Sequence, residues 1–168
     1  MKQLELFAKD ATQKKAPEGR EAALWQLFVD GAARNNPGPA GAGICLCKDR
    51  IECACEGYFL GVCTNNEAEY QAMVLGLLLA RQHVAAGERL AISSDSELLV
   101  RQLTGRYRVK KPELRIWYAR AQKLLKFFTY TISHVRRENN MRADELANHG
   151  IDRKRAVPPQ LQQEMLAL

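Results

Sequence analysis

Residues Phe28 to Gly43 read FVDGAARNNPGPAGAG, and this stretch constrains the fold more than any other part of the chain. Leu24, Trp25, Leu27, Phe28 and Val29 make an apolar run that ends on Asp30. A run of this length, bounded by Gly and Pro, predicts a buried strand. Asp30 is then expected at the strand's end, where core meets solvent. Asp-Gly pairs also simply open turns, which would account for Asp30 and Gly31 alone. That reading leaves Asn35-Asn36-Pro37-Gly38-Pro39 unexplained, a loop rich in side-chain amides lying just beyond the carboxylate.

The rest of the chain repeats this pattern of acids at element ends. Gly41–Cys47 and Ile51–Phe59 are expected as two strands joined by a tight turn at Lys48-Asp49-Arg50. Thr64-Asn65-Asn66 is a helix-start signal for a helix from Glu67 to about Ala86, whose AMVLGLLLA centre is apolar nearly all round and so belongs in the interior. Glu69 lies in its first turn. Asn66 and Glu69 have capping-box spacing, which leaves Glu67 a bystander. Arg89–Ser94 is a short apolar strand ending at Asp95, as the first strand ends at Asp30. If the two strands are parallel, with the helix as crossover, both acids share one rim. Asp95 could equally cap the helix Ser96–Leu103. A helix from Pro112 to about Lys126, a strand Phe128–Val135, a loop Arg136–Asn140 and a helix Met141–His149 carrying Asp144 complete the pattern.

With 168 residues the chain is sized for one well-cored domain. No apolar run approaches the roughly 18 residues needed to span a bilayer, and no signal peptide is evident, so a cytoplasmic protein without membrane partners is expected. Charge is unevenly placed. Arg101 to Arg142 holds 12 basic residues against two acids, while the remainder holds 13 against 17. Such a block is a footprint expected of a phosphate-rich partner. Within it, Arg106, Arg108, Lys110 and Lys111 form a short basic loop. The cysteines Cys45, Cys47, Cys53 and Cys55 fall in the predicted hairpin, with Cys63 after it. A two-residue turn at Asp49-Arg50 would put Cys53 opposite Leu46, away from Cys45 and Cys47, and zinc ligands are usually spaced more widely than Cys-x-Cys. These cysteines are therefore expected to pack as small core residues in a reducing compartment.

FVDGAARNNPGPAGAG, TNNEAEYQA, ISSDSELLVRQLTG and RADELAN together resemble the four motifs of the type 1 ribonuclease H family, in the expected order, from Leu24 to about Gly150. The resemblance implies a three-layer α/β fold with a five-stranded mixed sheet, and a metal-dependent endoribonuclease cutting the RNA strand of RNA–DNA hybrids. It implies two Mg²⁺ ions, with Mn²⁺ as a substitute. Asp30 would bridge both, Glu69 and Asp95 would complete one site, and Asp144 would hold the other. Products would carry 5′-phosphate and 3′-hydroxyl ends. Asn36, Asn65 and Asn66 match the family's groove-contacting amides, and Thr64 matches a phosphate contact. Some relatives insert a basic helix where this chain has only the Arg106–Lys111 loop. Many carry a histidine in a glycine-rich loop before the last acid; here that loop has neither, and Arg137 is expected in the role rather than His134, which falls inside the last strand. A hybrid-binding module without catalysis and a DNA nuclease or resolvase of the same superfamily are the alternatives.

Three segments follow from this reading: a tail or linker over 1–23, a catalytic domain over 24–150 and a C-terminal tail over 151–168 whose packing the sequence leaves open. Within the first, Gln3, Leu4, Glu5, Leu6 and Phe7 resemble the QL-x-LF peptide by which bacterial replication proteins dock onto the sliding clamp, with Leu6 and Phe7 as apolar anchors.

Overall fold

The computed structural model describes residues 24–168, so the Gln3–Phe7 peptide and its linker lie outside the described residues. Five strands, β1 (Leu24–Ala33), β2 (Gly38–Lys48), β3 (Ile51–Cys63), β4 (Arg89–Ser94) and β5 (Thr129–His134), form one sheet in the order β3-β2-β1-β4-β5. β1 is the central strand. It pairs antiparallel with β2 and parallel with β4, and β5 extends the parallel half. The helices are α1 (Asn65–His83), α2 (Glu97–Leu103), α3 (Pro112–Leu125), α4 (Met141–Arg153) and α5 (Pro159–Leu166). α1 covers one face of the sheet, with α3 and α5 outside it, and α4 covers the other face. This is the expected three-layer arrangement.

Alternation along β1 explains the layers. Trp25, Leu27 and Val29 point to α1, where Gly76 lets the helix rest on the Leu27 and Val29 side chains. Phe28 points the other way and packs with Cys45 and Leu146 beneath α4. Because α1 is enclosed between sheet and helices, its residues from Ala68 to Ala80 are buried all round.

Several boundaries differ from those the sequence predicts. β1 does not end at Asp30. Its parallel pairing with β4 stops at Val29 opposite Ser94, but its pairing with β2 continues to Ala33 opposite Ala40. Asp30 therefore sits at the fork where one neighbour leaves. α1 starts two residues earlier than expected, and its capping box is Thr64 with Glu67. The Glu67 N–H donates to Thr64 Oγ1 at 3.3 Å, and the Thr64 N–H donates to Glu67 Oε2 at 2.9 Å. Glu67 is thus no bystander, and Glu69 is free of capping duty. Ser96, not Asp95, caps α2 by accepting from the Leu99 N–H at 3.4 Å.

The β2–β3 turn is the two-residue one expected, with Asp49 and Arg50 both at positive φ (50° and 68°). The register beyond it is not as expected. Cys47 lies opposite Glu52 and Leu46 opposite Ala54, so Cys53 is the extra residue of a β-bulge. Cys45 and Cys55, directly opposite one another, are joined as a disulfide. At the other end of the chain, α4 continues through Gly150 to Arg153 before Lys154 (φ 47°) stops it. Residues beyond it pack on the domain: α5 seats Leu161 and Met165 in the main core.

Candidate active site

β1, β4 and the first turn of α1 bring three acids to one rim. Carboxylate oxygens of Asp30, Glu69 and Asp95 lie within 4.8 Å of one another. Asp30 and Glu69 are only 5% and 6% exposed. Gly31 makes this approach achievable: a Cβ there would lie 2.1 Å from the Glu69 backbone nitrogen. With no side chain in the way, the Gly31 N–H donates to Glu69 Oε2 at 3.1 Å and fixes that carboxylate.

Burial and mutual repulsion have the expected electrostatic effect. Asp30 is pushed up to about 8, first by loss of hydration, then by the charge of Asp95 and its hydrogen bond, and then by Asp144; Arg137 opposes this. Glu69 is raised well above the usual carboxylate range by burial, then by Asp30 and Asp95, with the Gly31 N–H working against them. A cluster that resists ionisation when alone is one that a cation would favour strongly. Its donors are all carboxylate oxygens, the set suited to a hard divalent ion such as Mg²⁺.

Asp144 joins from α4. Gly43 lets that helix descend onto β2, since a Cβ there would sit 1.8 Å from the Ala143 carbonyl oxygen. Asp144 is more exposed than Asp30 or Glu69 and accepts a hydrogen bond from Arg137 Nη2 at 3.2 Å. It lies near enough to raise both Asp30 and Glu69 by its charge. His134 ends β5, as its strand position implies, and its Nε2 lies 3.2 Å from the Asp95 carbonyl oxygen rather than on a loop.

One residue of the site escaped the sequence reading. Asn140 is 1% exposed, and its Nδ2 donates both to the Val29 carbonyl (3.0 Å) and to Asp95 Oδ1 (3.2 Å). It ties β1, the end of β4 and the start of α4 together, while its Oδ1 has no protein partner. The available signal was its position, four residues before Asp144 at a helix start. An asparagine there reads as a cap, yet its side chain makes no capping bond.

The expected nucleic-acid contacts fall into two adjoining groups. Asn36 Oδ1 accepts from the Asn65 N–H at 3.0 Å, and Asn65 Oδ1 accepts from the Ala33 N–H at 3.2 Å. Both therefore perform turn duty with their oxygens and keep their NH₂ groups as donors. Thr64 is more committed, because its hydroxyl donates to Glu67 Oε2 at 2.7 Å. Asn66 lines a groove of about 430 Å³ together with Arg106, Tyr107, Arg108, Lys110 and Lys111. Asn66 of the amide cluster and the basic loop thus border one groove.

Residues 28–150 match the family model described as "Reverse transcriptase-like". The chain is 39% identical over 127 residues to ribonuclease HI of Halobacterium salinarum, covering 74% of this chain and 63% of that protein. It is also 39% identical over 129 residues to a bifunctional protein of Mycobacterium tuberculosis, of which it spans 35%. Among solved structures, RNase H1 from Halobacterium salinarum is similar with a TM-score of 0.73 at 38% identity, covering 77% of this chain and 98% of that one. The LC11 RNase H1, solved in complex with an RNA/DNA hybrid, gives a TM-score of 0.73 at 34% identity, covering 77% and 97%.

Proposed function

The chain belongs to the type 1 ribonuclease H family, and from that premise we propose that it hydrolyses the RNA strand of RNA–DNA hybrids. The observation that carries this reading is the convergence of Asp30, Glu69 and Asp95 within 4.8 Å, with Asp144 close enough to act on them. The relative of known structure that holds an RNA/DNA hybrid supports the same substrate class.

In this reading two Mg²⁺ ions would be held by Asp30, Glu69, Asp95 and Asp144, with Asp30 serving both, Glu69 and Asp95 one, and Asp144 the other. The ions, when bound, supply an activated water and stabilise the leaving oxygen of an in-line displacement. The chain's own residues do the rest. Gly31 and Asn140 hold Glu69 and Asp95 in place through the N–H and NH₂ donors already described, so the acids need little rearrangement. Asn36, Asn65 and Asn66 offer amide donors to the groove of the hybrid, where the ribose 2′-hydroxyl marks the RNA strand. Arg106, Arg108, Lys110 and Lys111 hold backbone phosphates at the groove that they line. Water loses a proton as its oxygen becomes bonded to phosphorus, the bond from phosphorus to O3′ breaks, and O3′ takes up a proton from solvent, which leaves 5′-phosphate and 3′-hydroxyl ends. Arg137, beside Asp144, serves a phosphate through its planar guanidinium donors.

Among the described residues, no helix is long and apolar enough to cross a membrane. The cytoplasmic setting belongs to this same reading, because hybrids arise where replication primers are laid down. Clamp docking through Gln3–Phe7 rests on the sequence peptide alone.

The test is incubation of the chain with labelled hybrid, duplex DNA and duplex RNA, each with Mg²⁺ or with chelator. The expected result is cleavage of the RNA strand of the hybrid alone, and only with metal. Binding without cleavage would favour the non-catalytic module, and cleavage of duplex DNA would favour a DNA nuclease. Neutralising Arg106, Arg108, Lys110 and Lys111 together should weaken hybrid binding and lower its log–log salt slope by about 0.9 for each phosphate that the loop no longer neutralises. An unchanged slope would remove the basic loop from the interface.

A further inference from the structure

A second cluster of ligand-type side chains lies under α4, separate from the carboxylate rim. Cys45 and Cys55 face each other across β2 and β3, and Cys47 faces Glu52 one step along the same face. The β-bulge creates this square. Were Cys53 an ordinary paired residue of the strand, the alternation from Cys55 would turn Glu52 to the other side of the hairpin. Bulges commonly re-aim a side chain toward a functional point. Here the bulge puts a carboxylate among three sulfurs and sends the Cys53 side chain outward, where it is exposed.

The distances suit a common ligand. Donor atoms of Cys45, Glu52 and Cys55 lie within 4.8 Å of one another, with the two sulfurs bonded to each other in the disulfide form. Cys45 Sγ and Cys47 Sγ are 3.8 Å apart. Two thiolates on a tetrahedral zinc ion, each at about 2.3 Å, are separated by about 3.8 Å. Cys45 and Cys47 are buried, Cys55 is half-buried and Glu52 opens to solvent at the edge of the cluster. Phe28 and Leu146 cover the sulfurs. Arg142 of α4 donates to both oxygens of Glu52, at 3.0 and 3.4 Å, which fixes the carboxylate while leaving lone pairs for a metal.

We infer that Cys45, Cys47 and Cys55 with Glu52, once the cysteines are reduced, form a structural site for a soft divalent cation of the zinc class. This stands independently of the proposed catalytic activity. Two equivalents of a small thiol reduce the Cys45–Cys55 disulfide and leave joined as a disulfide of their own, giving two protein thiols. The metal then binds three thiolates and the Glu52 carboxylate, releasing three protons to solvent. A reducing cytoplasm keeps such thiols available. Three soft sulfur donors select zinc over the hard ions that suit the carboxylate rim.

The experiment uses the whole chain, reduced with a phosphine and held in excess Mg²⁺ so that the carboxylate rim is occupied. Zn²⁺ is titrated against a chromophoric chelator, and Co²⁺ is added separately as a spectroscopic probe. One equivalent of Zn²⁺ should bind, and Co²⁺ should give the near-ultraviolet charge-transfer band of thiolate ligation. Cys47→Ser should weaken Zn²⁺ binding at least about tenfold and lower the band by roughly one third, having removed one of three thiolates. Cys53→Ser should change neither, and the disulfide form should not bind. No charge-transfer band on the reduced wild-type chain would overturn the assignment, and that measurement needs no variant to fold. A band unchanged by Cys47→Ser, or one persisting in the disulfide form, would overturn it equally.

Discussion

The carboxylate rim has two unlike halves. Asp30 and Glu69 are buried, with Glu69 fixed by a backbone N–H, whereas Asp144 is more exposed and held by the flexible side chain of Arg137. Asp95 stands between the two, anchored by Asn140. The first half is built before any ligand arrives, and electrostatic repulsion is the cost of that order. The second half is accessible and adjustable, which suits a position where product must leave. The buried acids come from β1 and α1, and the more exposed one comes from α4.

Breaking the ordered half should have the largest effect. If Asp30 serves both ions as proposed, Asp30→Asn removes a ligand worth several kcal/mol at the transition state, and turnover should fall about a thousandfold or more. Hybrid binding and folding should be nearly retained. Steady-state kinetics with a labelled hybrid measure this, and activity within about tenfold of wild type would refute the two-metal assignment. Asp144→Asn should cost less, about a hundredfold, because water can partly replace an accessible ligand. Equal losses from the two variants would erase the distinction between the halves. Arg137→Ala should lower turnover about tenfold, the scale of one charge-assisted hydrogen bond, while His134→Ala should leave it near wild type. A large loss from the histidine change with normal folding would reverse that assignment.

The smallest effect is on stability. Folded Asp30 keeps its proton up to about 8, whereas the unfolded chain releases it near 3.8. Between those values the folded state binds more protons, so this contribution is full below the lower value and is lost as pH rises through the upper one. Without metal, Tm should therefore fall between about pH 4 and pH 8, by roughly 2–4 °C for each kcal/mol lost. Asp30→Asn should shrink the fall, and Mg²⁺ should flatten it by binding the folded state. Thermal melts across pH with chelator or Mg²⁺ give the answer. An equal flattening by Asp144→Asn would place the repulsion in the wrong half.

The elements were largely legible because periodicity and punctuation report on burial directly. The apolar run before Asp30, the all-apolar centre of α1 and Pro112 at the start of α3 each specify their own local structure. The acids were legible too, since each ends or opens such an element. Pairwise detail was not. Asn66–Glu69 and Thr64–Glu67 have the same spacing, and only the position of the incoming chain decides between them. β1 runs past Asp30 because β2 continues beside it, which no reading of β1 alone reveals. The bulge at Cys53 shifts register by one residue, and with it the face on which Glu52 lies. Asn140 was missed because it sits at a capping position while bonding to β1, 111 residues away in sequence.

The pairing of Phe59 with Arg155 bears on a different property. The Phe59 N–H donates to the Arg155 carbonyl, and Ala156 forms a parallel bridge to Phe59, so the segment after α4 occupies part of the open side of β3. β3 is the outermost strand on that side and carries the exposed Ile51 and Val62. An uncovered strand edge is a template for pairing with other chains. A version shortened to residue 150 would keep every acid of the rim yet lose both this cover and the α5 side chains that close the core over α1. Its expected failing is aggregation during expression rather than slow chemistry, and enzyme that stayed in solution would still cut.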